Sequence, residues 1–124
     1  MNKITYLFPF FKNGKHIISP TRSEKAPIGD KQSQVFNNQA FEYFSLEVKE
    51  LNPGTKISVY GCVDYESEPQ WIKLIGKSLN DGQESSEIGS NGLYSFFIAG
   101  IPHIRVELSA DGVNETITGA FFGN

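Results

Sequence analysis

Residues 44–48 read Phe-Ser-Leu-Glu-Val, and this short stretch is the clearest indicator of the fold. Its apolar residues, Phe44, Leu46 and Val48, alternate with polar ones, so an extended backbone places all three on one face. Alternation of this kind is typical of a β-strand that packs one face on a core and turns the other to solvent. We therefore expect residues 43–49 to form a half-buried strand.

Similar stretches follow along the chain, separated by residues that favour turns. The turn signals are Asn52-Pro-Gly-Thr55, Asn80-Asp-Gly82 and Asp111-Gly112. The expected strands are 56–63, 71–75, 93–98, 104–108 and 115–121, and residues 76–92 are expected to be loop. No window of ten residues shows a helical period. Short strands at this spacing predict a sandwich or a small barrel, and we expect an all-β, antiparallel β-sandwich, jelly-roll or Ig-like, of about six to eight strands.

The composition agrees with strands and with a single domain. The 124 residues include ten Phe, five Tyr and one Trp against one Met, and twelve Gly with six Pro supply turns. A chain of this length can build one core without disulfides or metals. The lone Cys62 excludes an internal disulfide, and its place in the apolar run 57–63 predicts a buried, inert thiol.

Charge is divided unevenly along the chain. Residues 1–34 carry six Lys or Arg and two Asp or Glu, a net +4, whereas residues 35–124 carry five and twelve, a net −7. Segment 12–34 has too few apolar residues to form a core by itself. We therefore expect an extended N-terminal arm, residues 1–35, made of an apolar strand and a polar basic linker, on a β-sandwich body, residues 36–124. The asymmetry indicates either an interaction segment or two differently solvated surfaces.

The arm begins with an apolar stretch, residues 4–11, that forms an edge strand or docks on a partner. The polar residues 12–15 follow it in place of a small-residue cleavage site, so we expect neither a signal peptide nor a transmembrane helix. The expected interaction residues of the arm are Tyr6, Leu7, Phe8, Phe10 and Phe11.

No pattern of residues points to catalysis, and we expect a protein that is not an enzyme, with no catalytic residue, no cofactor and no metal. His16 and His103 do not accompany a Gly-x-Ser-x-Gly elbow that would present a nucleophile. Asp64, Glu66 and Glu68 alternate, so their carboxylates share one side of an extended chain. They lack the spacing of a calcium loop, and a solvated acidic connection is favoured over a cation site or a glycosidase pair.

Aromatic residues near the strand ends suggest a different kind of site. Tyr65, Trp71 and Tyr94, together with Tyr60, are candidates for stacking against a sugar ring. At this point the competing interpretation, that Trp71 packs in the core, is favoured. A carbohydrate-binding or adhesion module, with a cell-surface glycan as its ligand, is therefore the alternative function.

The succession of strands from Phe44 to Phe121 resembles small β-sandwich structural or accessory proteins of tailed bacteriophages and prophages. The segments that carry the resemblance are 44–48, 57–64, 71–74, 91–96, 104–108 and 115–119. The resemblance implies a non-enzymatic virion protein, such as a head decoration, neck, tail or baseplate accessory, that acts through protein–protein contacts. It implies homo-oligomers and contacts with other virion proteins, with synthesis in the host cytoplasm and a final place in the virion. We expect no nucleic-acid partner and no membrane partner, since the net charge is only −3 and the body is acidic.

Overall fold

A computed structural model describes residues 4–12, 15–16, 23–25, 35–38, 41–51, 53–65, 69–109 and 116–122, with side chains from residue 35 onward except those of Thr116 and Phe122. These residues form twelve strands in two antiparallel sheets that enclose a common core. The predicted all-β antiparallel sandwich is thereby confirmed. The described residues contain no helix of a length and hydropathy that would cross a membrane.

The larger sheet has seven strands, of which β5 lies near the middle. Its order is β2 (Lys15–His16), β1 (Ile4–Lys12), β12 (Thr116–Phe122), β5 (Tyr43–Glu50), β10 (Gly92–Phe97), β8 (Gly76–Ser78) and β9 (Glu84–Ser85). The smaller sheet has the order β3 (Ser23–Lys25), β4 (Val35–Asn37), β11 (His103–Leu108), β6 (Ile57–Cys62) and β7 (Ile72–Lys73). Six of the twelve strands have six or more residues, and the others have two or three. The expected number of strands corresponds to the longer ones.

The core lies between the sheets and is built from the inward positions of alternating strands. In β5 the buried residues are Phe44, Leu46 and Val48, as the alternation predicted. The ring of Phe121, on β12, has its centroid 4.9 Å from that of Phe44 and 6.2 Å from that of Phe36. Because Phe36 belongs to the smaller sheet, these rings connect the two layers. Burial of such aromatic surface is the main favourable contribution to folding.

Asn38 connects two places where the chain crosses from one sheet to the other. Its side-chain Nδ2 donates to the carbonyls of Phe41 (3.0 Å), Ile98 (3.1 Å) and Ile101 (3.0 Å), and its Oδ1 accepts from the N–H of Phe41 (2.8 Å). The segment between β4 and β5 contains Asn38 and Phe41, and the segment between β10 and β11 contains Ile98 and Ile101. One amide therefore binds both crossings together. No local pattern of residues singles out Asn38.

Residues 76–92 differ from the expectation of a loop. They contain β8 and β9, which pair Gly76 with Ser85 and Lys77 with Glu84, and Ile88 bridges to Ile57. The predicted turn at 80–82 is confirmed, with Gly82 at φ +75°. The expected strand 71–75 is shorter, since only Ile72–Lys73 forms β7. The strands β8 and β9 were missed because two or three residues, most of them polar or glycine, leave no alternation to detect.

Candidate binding surface

The face of the smaller sheet that points away from the core carries a group of aromatic and basic side chains. Val59 and Val106 pair across β6 and β11 and are buried in the core. Their neighbours Tyr60 and Arg105 also pair, and alternation turns both to the opposite face. On β7, Lys73 pairs with Tyr60 and shares that face.

Arg105 lies against two aromatic rings on this outer face. Its guanidinium carbon is 4.6 Å from the ring centroid of Trp71 and 5.3 Å from that of Tyr60. Both distances are within the range of a cation–π interaction. The side chain of Arg105 therefore packs against both rings.

Tyr65 and His103 extend the group across the sheet. The ring of Tyr65 meets that of Trp71 at a centroid distance of 5.7 Å and an interplanar angle of 66°, and it lies 5.4 Å from the ring of His103. The Nδ1 of His103 is 3.1 Å from the Oδ1 of Asn37 on β4. We call the five residues Tyr60, Tyr65, Trp71, His103 and Arg105 the Arg105 strip. Each of them is half-buried, so the strip is packed and still reaches the surface.

Lys73 and Arg105 share this face, and they differ in whether they form an ion pair with a described residue. Lys73 donates from Nζ to Oε2 of Glu87 at 3.0 Å, and this hydrogen bond raises the pKa of Lys73 above its ordinary value. The other ion pair among the described residues joins Lys49 and Glu47, so neither pair involves Arg105. The Nε of Arg105 is buried and has no hydrogen-bond partner in the described part of the chain. Arg105 is thus a partly desolvated cation without an acidic partner there.

The candidate aromatic residues from the sequence separate into two groups. Tyr60, Tyr65 and Trp71 come together in the strip, and Trp71 is half-buried on the outer face, so the expectation that it packs in the core was wrong. Tyr94 is only 9% exposed, packs in the core, and donates from its hydroxyl to the carbonyl of Ser90 at 2.8 Å. A ligand cannot stack on a ring in that position. Sequence reasoning missed Arg105, although its alternation with Ile104 and Val106 already placed it on an outward face.

A groove with mainly apolar walls opens beside β7 and has a volume of about 480 Å³. Val63 and Ile72 line it and are 72% and 61% exposed. The absence of a side chain at Gly61 lets Ile101 pack closely in the wall of the groove, because a Cβ there would lie 2.7 Å from Cγ2 of Ile101. Cys62 also lines the groove and is 3% exposed, which confirms the buried position expected for this free thiol.

The apolar stretch of the N-terminal arm forms β1, which pairs along β12 of the same chain. The backbone register places Tyr6 opposite Phe121, Leu7 opposite Ala120, Phe8 opposite Gly119 and Phe11 opposite Ile117. Phe10 lies at a shift of register between Pro9 and Phe11. The side chains of these five residues lie outside the described part of the chain, and their role as interaction residues stays a prediction.

Of the side chains weighed for catalysis or metal binding, the structure describes those of Asp64 and His103. Among the described residues, no three His, Cys, Asp or Glu side chains come close enough to hold a metal ion. Asp64 is exposed, whereas Glu66 and Glu68 lie outside the described residues. His103 belongs to the strip, and the side chain of His16 also lies outside the described residues.

Comparisons with known proteins identify the fold. No protein-family model matches the chain, and no curated protein matches it. The crystal structure of the SPBc2 prophage-derived protein YomS is similar over 99% of this chain and 96% of YomS, with a TM-score of 0.68 and 18% identity. The PBSX exported protein XepA is similar over 98% of this chain and 38% of XepA, with a TM-score of 0.71 and 15% identity. The chain thus has a fold that occurs as nearly the whole of one prophage protein and as little more than a third of another.

Proposed function

We propose that this chain is a non-enzymatic phage or prophage protein, a structural or assembly component of the virion that acts through protein–protein contacts. One observation carries the proposal, namely the end-to-end similarity to the SPBc2 prophage-derived protein YomS. The similarity to XepA of PBSX and the order of strands seen in the sequence support the same class. Because fold alone does not determine function, the residues on the outer surfaces of the molecule determine what it contacts.

Exposed apolar side chains on both sheets support a role in contacts. Around β7 and the groove these are Val63, Ile72 and Ile75, and on β10 of the larger sheet they are Leu93 and Phe97. Clustered apolar surface of this kind is typical of interfaces with other proteins. Virion proteins repeat such contacts around a symmetry axis, which suits a small domain with two usable outer faces.

We expect the chain to copurify with intact particles. Particles are treated with protease and nuclease, banded on a density gradient, and analysed by quantitative mass spectrometry. The expected result is a constant number of copies per particle, because a structural component occupies symmetric positions. A phage replication protein from the same lysate serves as the control for carry-over. Presence in the lysate together with loss from banded particles would contradict a virion location.

We also propose that the purified chain forms homo-oligomers in which the basic arm contacts the acidic body of a neighbouring copy. A double Lys25→Glu/Lys31→Glu change reverses charge in the arm and is expected to lower the mass measured by light scattering at low ionic strength, since charge attraction between chains is lost. Neither position belongs to β1, and Lys25 is the last residue of β3, whereas truncation of residues 1–34 would remove β1 and β2 from the larger sheet and β3 from the smaller one.

The matched control for the arm is Lys49→Glu/Lys77→Glu, which makes the same charge change on exposed positions of the body. This control is expected to keep the mass of the unmodified chain. A monomeric unmodified chain at all concentrations, or the same mass for all three proteins, would refute arm-driven assembly.

A second candidate function is carbohydrate binding, and the Arg105 strip is the observation that favours it. Tyr65 and Trp71 are neighbours at the surface, whereas a lone core tryptophan would have argued against the idea. Aromatic side chains with one apolar face and one solvated edge suit ligands that are themselves amphipathic, such as sugars. Titration of the Trp71 fluorescence with neutral and acidic sugars tests it.

A further inference from the structure

Arg105 is placed to bind an anion beside two aromatic rings. Its guanidinium carbon lies 4.6 Å from the ring centroid of Trp71 and 5.3 Å from that of Tyr60, and a guanidinium carries several N–H donors in one plane. An arginine whose orientation is fixed by stacking loses little side-chain entropy on binding and matches the two oxygens of a carboxylate or phosphate.

Among the described residues, Arg105 takes part in no ion pair, although Glu107 lies on the same face of β11. Lys73, which shares this face, is engaged by Glu87. The buried Nε shows that the guanidinium has already lost part of its hydration without gaining a hydrogen bond in return. A cation in this condition gains more from an incoming anion than a fully hydrated one does.

The neighbouring rings provide a surface for the uncharged part of the ligand. Tyr65 and Trp71 meet edge to face, and both are half-buried, so each retains an exposed portion beside Arg105. An aromatic surface next to a guanidinium group suits a ligand that combines an apolar ring face with an acidic group.

We infer that the Arg105 strip is a binding site for acidic saccharides. Arg105 binds the carboxylate or phosphate, and Tyr65 and Trp71 contact the sugar ring. This inference rests on the second candidate function, carbohydrate binding, and adds the class of sugar. The acidic charge of the body does not attract such ligands over a distance, so the binding depends on the contacts at the strip.

Trp71 gives a direct measurement, because it is the only tryptophan in the 124 residues. Its fluorescence is followed while the full chain is titrated with oligogalacturonate, with the methyl ester of the same oligosaccharide, with glucose 6-phosphate and with glucose. We expect the acidic form to bind at least about tenfold more tightly than its neutral counterpart, the lower range for a hydrogen-bonded charge pair. The carboxylate and phosphate pairs of probes distinguish the two sources of negative charge.

Variants assign the effect to Arg105. Arg105→Gln is expected to abolish the preference for the acidic form, and Arg105→Lys, which keeps the charge and loses the planar fork, is expected to weaken it. Lys49→Gln removes one positive charge from the other sheet and is expected to change the affinity less than about twofold. Circular dichroism of each variant separates a lost site from a lost fold.

Four outcomes would overturn the inference, and they differ in which part of it they remove. Equal affinity for the acid and its ester would remove the acidic preference and leave carbohydrate binding intact. No binding of any of the four sugars would remove both. Equal binding of an oligoglutamate peptide would show that the strip recognises charge without recognising a saccharide. An equal loss in Lys49→Gln would show that the effect reflects the net charge of the chain and does not come from the strip.

Discussion

An Asn38→Asp variant is expected to lose about 2–4 kcal/mol of unfolding free energy, the cost of several partly buried groups left without partners. The Nδ2 of Asn38 donates to three carbonyls within 3.1 Å, on both segments that cross between the sheets. Aspartate has nearly the same shape, but a carboxylate oxygen would face those three carbonyl oxygens. The variant therefore replaces attraction with repulsion where the two crossings meet. Urea denaturation followed by circular dichroism measures the loss.

Two further variants show whether hydrogen bonding is the cause. Asn38→Ala removes the amide without adding a charge, and it is expected to destabilise the fold less than Asn38→Asp does. Asn80→Asp makes the same chemical change in the exposed turn between β8 and β9 and is expected to alter stability by less than about 0.5 kcal/mol. If Asn38→Asp unfolded at the same urea concentration as the unmodified chain, the role given to this amide would be refuted.

Gly76→Ala is expected to lower the unfolding free energy by about 1–3 kcal/mol, the usual cost of an extra methyl group in a packed core. A Cβ at Gly76 would lie 2.5 Å from two ring carbons of Phe96, which is only 1% exposed. The ring lies in the middle of the core, so it has no free space to move into. The same denaturation measurement detects this effect.

Gly89→Ala is the matched control for overpacking. The nearest atom to a Cβ there is Nζ of Lys56, at 2.6 Å, and the end of a lysine side chain can move aside at little cost. This control is expected to stay within about 0.5 kcal/mol of the unmodified chain. The double variant Gly76→Ala/Phe96→Leu places a smaller side chain opposite the added methyl group. Its loss of unfolding free energy is expected to be smaller than the sum of the losses in the two single variants. Simple additivity of the two changes would contradict the close approach of Phe96 to Gly76.

The residues that stabilise the fold and those of the proposed binding site lie in different parts of the molecule. Phe96 and Gly76 are buried, and Asn38 sits where the chain crosses between sheets, so their variants test the scaffold. The Arg105 strip lies on the outer face of the smaller sheet, where side chains can change without loss of core packing. A change at Arg105 that alters binding and leaves stability nearly constant would support this separation.

The sequence alone predicted the fold class, because alternation in residues 44–48 and 104–108 reports directly which positions face a core. The buried residues of β5 and β11 are the ones that alternation selected. The turn at 80–82 was also predicted, since its Asn, Asp and Gly favour the backbone angles that a tight turn needs. These features depend on neighbours in the sequence, and local patterns are sufficient to reveal them.

Only the tertiary structure decided which distant residues meet. Trp71 and Arg105 are separated by thirty-four positions, and no local sequence pattern indicates that the ring of Trp71 packs against the guanidinium of Arg105. Tyr94 and Tyr65 are the same residue type near the ends of strands, yet one is buried in the core and the other lies at the surface. The physical reason is that alternation determines which face of its own strand a residue occupies, whereas the pairing of β6 with β11 and of β6 with β7 determines what stands beside it.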